Sequence, residues 1–556
     1  MRRQSQEVVF VMAEYAEFPT PEQIEGAWDW DKIHAPRPLT PLAFDAIVMS
    51  MSEGFTKAQH DFGSRLALKC RLVNYYFYAT FAPEEGFRRE DNADIGRYVA
   101  ELDRLAAQIG ERWINEWEPT LPPLLEKART ADYGSMSNQQ LLEALEEQLQ
   151  NLVYYWNIHG WINLSLVPAT ALVEFYNAEV QPEDENEAWN LMQGVETKSV
   201  ETSKGLWRLS REIQRQPVLR SIFESGNPHE IMRALERVST GREFLATFNA
   251  FLQEYGWRSD GIYEIADATW REEPSIPLNT LQGYLGLNEF SSPELTLEQA
   301  TSRREALVKK ARSKLAGDAA KLKRFEELLA AAKDNLRVTE DHSFWIDQMG
   351  TAVFRHFCLE VGKKLTEDSV IEKTDDVFML QMDELRSALK DGGDLRTTVS
   401  QRREEIAHWA TVVPPFHLGH RTEEVEDPFF VAMVDKMLGL LPVEPSTDPD
   451  VISGVAASPG SIQGVAKVVR TLNEASKLQA GDIMVCEMTV PTWVPLFATV
   501  RAVVADSGGI LSHCAIVARE FHLPAVVGTR VGTQQIKDGM TITVDGTKGL
   551  VRIDSR

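Results

Sequence analysis

Positive charge is what this sequence is short of: 58 Lys and Arg stand against 83 Asp and Glu, a net charge of -25. Such a surface repels nucleic acid and anionic membranes, and no Lys/Arg-rich block offers a local exception, so neither is an expected partner. Cysteine is scarce as well. Cys70, Cys358, Cys486 and Cys514 are scattered without the spacing of a metal site or a disulfide framework. That usage fits a reducing cytoplasm and predicts no metal held by the chain itself. No run approaches the ~18 apolar residues that a spanning helix needs. The early apolar piece from Val8 to Ala13 is too brief for the core of a signal peptide. A cytoplasmic protein is therefore expected. The sequence also lacks a Gly-x-x-x-x-Gly-Lys-Ser/Thr phosphate loop and any repeat of fixed period.

What is present divides by periodicity. At 556 residues the chain exceeds one ordinary core. Phe18 to Leu42 is rich in Pro and Trp, which excludes a continuous helix and favours an extended segment, either functional or a brace on the domain surface. From Ala43 to about Leu440 the pattern is mostly helical. Ile95 to Glu116, Leu141 to Leu166 and Asn335 to Leu365 each carry apolar residues at helical steps, and Glu298 to Lys333 reads as two long solvated helices. Leu441 to Asp450 holds three prolines among short polar residues and reads as a semi-rigid tether. Beyond it come short β-rich runs with glycine turns, such as Asp482 to Cys486, Arg501 to Ala505 and Met540 to Val544. The expected fold is multidomain α + α/β: a large, mainly α-helical domain over 1–440, a linker at 441–450 and a small α/β domain over 451–556.

One stretch reads as a chemical device. Gly508-Gly509 follows the apolar run Ala502 to Ala505 and permits a tight turn. Ala515, Ile516, Ala518 and Phe521 then recur at helical spacing, which places Ser512 as a cap and His513 in the first helical turn. Free N–H groups and the helix dipole welcome a phosphate there, and neutral imidazole is a nucleophile near pH 7. Arg519 is placed to add a charge-assisted contact. Alone, such a histidine reads equally as a cap or a surface residue.

Gly508-Gly509-Ile510-Leu511-Ser512-His513-Cys514-Ala515-Ile516-Val517-Ala518-Arg519, with Leu523-Pro524-Ala525-Val526-Val527-Gly528, Ala457-Ser458-Pro459-Gly460 and Gly481-Asp482-Ile483, resembles the mobile phosphohistidine domain of the phosphoenolpyruvate-utilising and dikinase enzymes. The likeness runs from Gly454 to Arg552. It implies that His513 carries the phosphoryl group and that the domain swivels between a loading and a discharging site. Over Asp29 to Leu418 the chain resembles the acceptor-binding domain of rifampicin phosphotransferases and of phenol-phosphorylating synthases, through Pro36-Arg37-Pro38-Leu39-Thr40-Pro41, Tyr255-Gly256-Trp257-Arg258 with Glu264 and Trp270, Arg337 to His342, and Asp375 to Phe378. Trp257 stands where that family has histidine, which implies a more apolar pocket.

No ATP-grasp pattern and no phosphoenolpyruvate barrel is visible, so the resemblance implies a split enzyme. A separate ATP-grasp subunit would bind ATP and Mg²⁺ and phosphorylate His513, and this chain alone would bind no cofactor. The acceptor would be the hydroxyl of a small aromatic molecule, of the phenol or alkylphenol class. Transfer to a hydroxyl needs positive charge on the travelling oxygens and a place for the proton. Arg258 and then Arg337 are the candidates for the charge, His342 for the proton, and Glu264 and His159 for further acceptor contacts. Each also has a structural reading: Arg337 with Glu340 as an intrahelical ion pair, Arg258 with Glu264 as a loop brace, His342 as a buried hydrogen-bonded residue. The 13 Trp, 12 Tyr and 24 Phe would line an aromatic pocket or build an ordinary helical core. The alternative is a phosphocarrier or regulatory protein that passes the group from His513 to another protein.

Overall fold

The computed structural model describes residues 17–63, 66–83, 95–183, 185–259, 261–289, 292–420, 446–489, 493–510 and 512–555. The segment Val8 to Ala13, the helical pattern beyond His420, Leu441 to Pro445 of the expected tether, and Leu511 lie outside them.

The bulk of the chain up to residue 420 is helical, as its periodicity predicts. Two helices, Met49–Asp61 and Asn138–Ile162, cross at unusually close range. A Cβ on Gly54 would stand 2.6 Å from the Asn157 amide nitrogen, and one on Gly160 would stand 2.6 Å from the Ala58 Cβ. Glycine at both positions therefore permits the contact, which brings Phe55 against Trp156 and His159 at 6.1 and 5.3 Å between ring centroids. The region expected as one helix from Asn335 to Leu365 is a helix to His342, a wider π-helical stretch over Ser343–Gly350, and a helix over Thr351–Glu367.

The mostly helical region also holds strands. Leu66–Val73 (β2) and Tyr76–Pro83 (β3) form an antiparallel hairpin rather than helix. Its two-residue turn puts Asn74 and Tyr75 at φ of 49° and 65°, the pairing that a tight hairpin needs, though Tyr in place of Gly hides the signal. The Trp-rich stretch contributes Ala27–Trp30 (β1), which pairs with β3 on one side and with His417–Gly419 (β4) on the other. The Pro/Trp-rich segment is thus the inner strand of a four-stranded sheet, order β2-β3-β1-β4, which ties the start of the helical part to its end.

Residues 446–555 build an eight-stranded sheet of order β5-β12-β11-β7-β8-β9-β10-β6. Here β5 is Val451–Ser453, β6 Val455–Ser458, β7 Ser461–Val468 and β8 Ile483–Cys486. The others are β9 Ala502–Ala505, β10 Ala525–Val527, β11 Thr541–Asp545 and β12 Leu550–Ser555. Strands β7 to β10 run parallel. All residues of β8, β9 and β10 are buried, which is why they read as unbroken apolar runs rather than alternating ones.

Glu264, expected at the acceptor, serves the fold instead. Its carboxylate accepts from the Thr40 N–H at 2.7 Å, the Thr40 hydroxyl at 2.8 Å and the Ala266 N–H at 2.7 Å, and so pins the proline-rich segment. It does not pair with Arg258. Burial pushes its carboxyl up to about 7. A raised carboxyl favours the protonated folded state, so stability is expected to rise as pH falls from about 7 toward the ordinary 4.5. Glu264→Gln, which mimics the neutral form, should remove that part of the pH dependence. Glu264→Ala should cost about 2–4 kcal/mol by leaving the Thr40 and Ala266 donors unpaired. Urea unfolding of the three proteins between pH 5 and 8 checks both outcomes.

Candidate active site

The expected turn and cap are both formed. Gly508 sits at φ +107°, and a Cβ there would lie 2.7 Å from the Ser512 Oγ, so a side chain would obstruct the cap. Ser512 Oγ accepts from the Ala515 N–H at 3.4 Å and opens the helix His513–Glu520. His513 is in its first turn, at the carboxyl-end edge of the parallel strands, where an open α/β sheet places its ligands.

His513 does not face solvent. Its side chain is 14% exposed, and Nδ1 lies 3.1 Å from Oε1 of Glu340, on the helix Ala319–His342. A carboxylate can only accept, so in the neutral ring Nδ1 carries the proton and Nε2 the lone pair. Nε2 is buried and has no hydrogen-bond partner among the described residues. Glu340, read from the sequence as the intrahelical partner of Arg337, faces His513 instead, and Arg337 pairs with Asp341. Only tertiary contact joins Glu340 to a histidine 173 positions away.

The α/β part is seated on the helical part by several contacts around this pair. Ile516 packs in a core cluster with Leu166, Trp189 and Leu336, and Ile510 packs against it. Glu520 accepts from the Gly194 N–H with both oxygens at 3.1 Å. Lys32, at the end of the β1 region, lies 3.8 Å from Glu487, which follows β8. Arg519 has a different place from the one expected. Its Nη1 donates to the carbonyls of Ala457 and Ile510 at 2.8 Å each, and its guanidinium lies 5.3 Å over the Trp189 ring. It braces the turn that carries His513, and burial pulls it down to about 10.

Beneath this seat the helical part gathers polar groups. His342 donates from Nδ1 to the Val338 carbonyl at 3.0 Å, and its Nε2 lies 3.7 Å from Oδ2 of Asp347. Oδ1 of Asp347 lies 2.8 Å from Nδ1 of His159, and the two imidazoles meet edge to face at 4.6 Å. In an α-helix, positions 342 and 347 would point well apart. The π-helical stretch has an i to i+5 repeat, which stacks them on one face. Burial pulls His342 down to about 4, so it is neutral at pH 7 and a weak proton acceptor.

Aromatic rings continue from this cluster. His159 lies 5.1 Å from Trp156, Trp156 5.6 Å from Tyr263, and Tyr263 5.3 Å from His34. His34 is paired with Asp31 at 2.9 Å. Its side chain is 34% exposed.

The two arginines differ. Arg337 is held by Glu118 and Asp341, both at 3.0 Å, so its charge is already matched; its intrahelical partner is Asp341, one turn on. Arg258 is 1% exposed and faces no carboxylate among the described residues. It donates to the Thr202 hydroxyl at 3.3 Å, lies 5.0 Å over Phe344 and 5.1 Å over Trp270, and leaves Nε without a partner. Burial pulls it down to about 9. A buried, unmatched guanidinium is costly unless an anion visits it. Trp257 is a packing residue, with Arg271 stacked 3.9 Å from its ring centroid.

Residues 160–340 match the model of the rifampicin phosphotransferase fourth domain, and residues 478–549 match that of the PEP-utilising enzyme mobile domain. The chain is 33% identical, over 97% of its length, to chondramide synthase cmdD from Chondromyces crocatus, of which it covers 14%. It is 30% identical, over 93% of its length, to the phosphotransferase YvkC of Bacillus subtilis (strain 168), of which it covers 61%. It is 24% identical, over 56% of its length, to a rifampicin phosphotransferase of Bacillus cereus, of which it covers 35%. The chain thus spans less than two thirds of each of these relatives.

The Glu340 contact fixes which His513 nitrogen is protonated. ¹⁵N shifts of histidine-labelled protein should report an Nδ1–H tautomer for His513 in the wild type and in Glu340→Gln, whose amide oxygen still accepts. In Glu340→Ala the signal should move toward the mixed tautomers of free imidazole.

Proposed function

On the footing that the chain belongs, by its mobile domain, to the PEP-utilising enzymes, we infer that it is a phosphotransferase in which His513 receives a phosphoryl group on Nε2 and passes it to the hydroxyl of a small acceptor in the helical part. The observation that carries this reading is the seat of His513. Its Nδ1 is held by Glu340 of the helical part, and its Nε2 is buried and has no hydrogen-bond partner among the described residues. In the transfer the Nε2–P bond breaks, the acceptor O–P bond forms and the hydroxyl proton leaves. Arg258, a buried cation without a carboxylate, supplies charge for the travelling oxygens. His342 is the candidate to orient the acceptor hydroxyl, with His159 beside it, and the proton passes to solvent.

The acceptor class is a small aromatic alcohol or phenol, supported by the aromatic residues Phe55, Trp156 and Tyr263 packed in a run around His159 and His34. With Nε2 buried, loading requires the α/β part to leave its seat. The phosphoryl source is a separate ATP-grasp subunit that holds ATP and Mg²⁺ and releases AMP and inorganic phosphate, in the cytoplasm. No helix among the described residues is long and apolar enough to cross a membrane.

With an ATP-grasp partner and β- or γ-labelled ATP, label should accumulate on His513 and chase to a phenol. His513→Ala should abolish both, and phosphorylation of an acceptor by His513→Ala would overturn the reading. Arg258→Gln should leave label trapping intact and slow the chase by about 10²–10³-fold, as loss of one transition-state donor does.

A further inference from the structure

The sequence offers no metal-type spacing, yet the fold brings a three-residue donor set together. The ligand atoms of His159, His342 and Asp347 all lie within 4.8 Å of one another. They come from the helix Asn138–Ile162, the end of the helix Ala319–His342 and the π-helical stretch that follows it. The side chains are 19%, 10% and 6% exposed.

Two features distinguish this group from an ordinary buried ion pair. First, the Val338 carbonyl accepts from His342 Nδ1 at 3.0 Å, so the Nε2 lone pair is aimed at Asp347 Oδ2. A backbone acceptor on the outer nitrogen is the arrangement that orients an imidazole as a ligand. Second, that Nε2 and Oδ2 stand 3.7 Å apart. Neither atom carries a proton to offer, and the gap exceeds a hydrogen bond. Two bonds of about 2.0–2.1 Å to one ion would span it. His159 closes the third side, with Nδ1 2.8 Å from Oδ1 of the same carboxylate. Ser343 adds its hydroxyl to that carboxylate.

We propose that His159, His342 and Asp347 form a binding site for one divalent transition-metal ion of the zinc class. Two imidazoles and a carboxylate suit Zn²⁺ or Co²⁺, whereas Mg²⁺ and Ca²⁺ take all-oxygen sets. Three protein ligands leave a position open, as a metal that acts on a substrate requires. The aromatic run of Trp156, Tyr263 and His34 continues from His159. On loading, His159 moves its proton from Nδ1 to Nε2, its Nδ1–H hydrogen bond to Asp347 breaks, and the three protein ligands replace water on the ion. The ion's role rests on the phosphotransfer reading: it takes the acceptor hydroxyl oxygen as a ligand and favours its deprotonated form. Binding itself does not depend on that reading.

The test uses the full chain, stripped with a chelator and titrated with Co²⁺ and Zn²⁺. The expected result is one equivalent per chain, visible d–d absorption of tetrahedral type for Co²⁺, and a rise in Tm on adding Zn²⁺. His159→Asn, His342→Gln and Asp347→Asn should each weaken binding at least ~10-fold. His34→Asn, in the same aromatic run but outside the donor set, and His513→Ala should bind as wild type. Circular dichroism and the metal-free Tm identify any variant that does not fold, and the Co²⁺ spectrum of the wild type stands without the variants. No stoichiometric binding, or binding that survives both His159→Asn and Asp347→Asn, overturns the proposal. Failure here with phosphotransfer intact removes the ion alone, and metal binding that persists in a chain without phosphotransfer removes the other reading.

Discussion

A single hydrogen bond between two parts of the chain governs the rest: Nδ1 of His513 on Glu340. It fixes the tautomer, and by fixing the tautomer it decides which nitrogen is left to react. It also joins a helix of the α/β part to one enclosed by the helical part. Asn335, Glu340, Asp341 and His342 are all buried polar residues of that second helix. Such a density of polar groups in a core is tolerated because nearly every one has a partner, as Asn335 has in Gly110 and Ala106. The helix is a polar spine on which the carrier rests.

The same spine then widens. At Ser343–Gly350 the π-helical turn brings Asp347 below His342 and toward His159. Wide turns cost hydrogen-bond geometry and persist where function or packing requires them. Here the widening lines up three donors. Close helix crossing at Gly54 and Gly160 contributes from the opposite side, since it sets the depth of His159 and Phe55.

Local signals were legible and tertiary ones were not. The glycine turn, the Ser512 cap and the place of His513 in the first helical turn follow from spacing alone. So do the parallel strands, whose unbroken apolar runs announce burial on both faces. The hairpin at Leu66–Pro83 escaped because its turn is Asn74-Tyr75 and lacks glycine. Asp347 escaped because helical arithmetic at 3.6 residues per turn separates it from His342, and Glu340 because its partner is remote in sequence. Among the arginines, a sequence cannot show that Arg337 is matched by Glu118, that Arg519 is spent on two carbonyls, or that Arg258 is matched by no carboxylate among the described residues.

The central claim is that His513 discharges in the seat described and is loaded elsewhere. A short thiol cross-link between Lys32→Cys and Glu487→Cys, whose native side chains approach to 3.8 Å, would hold the α/β part in that seat. Chain cross-linked before exposure to an ATP-grasp partner and labelled ATP should take up no label at His513, and chain labelled first and then cross-linked should still give its label to acceptor. Normal loading of the cross-linked chain would contradict the account.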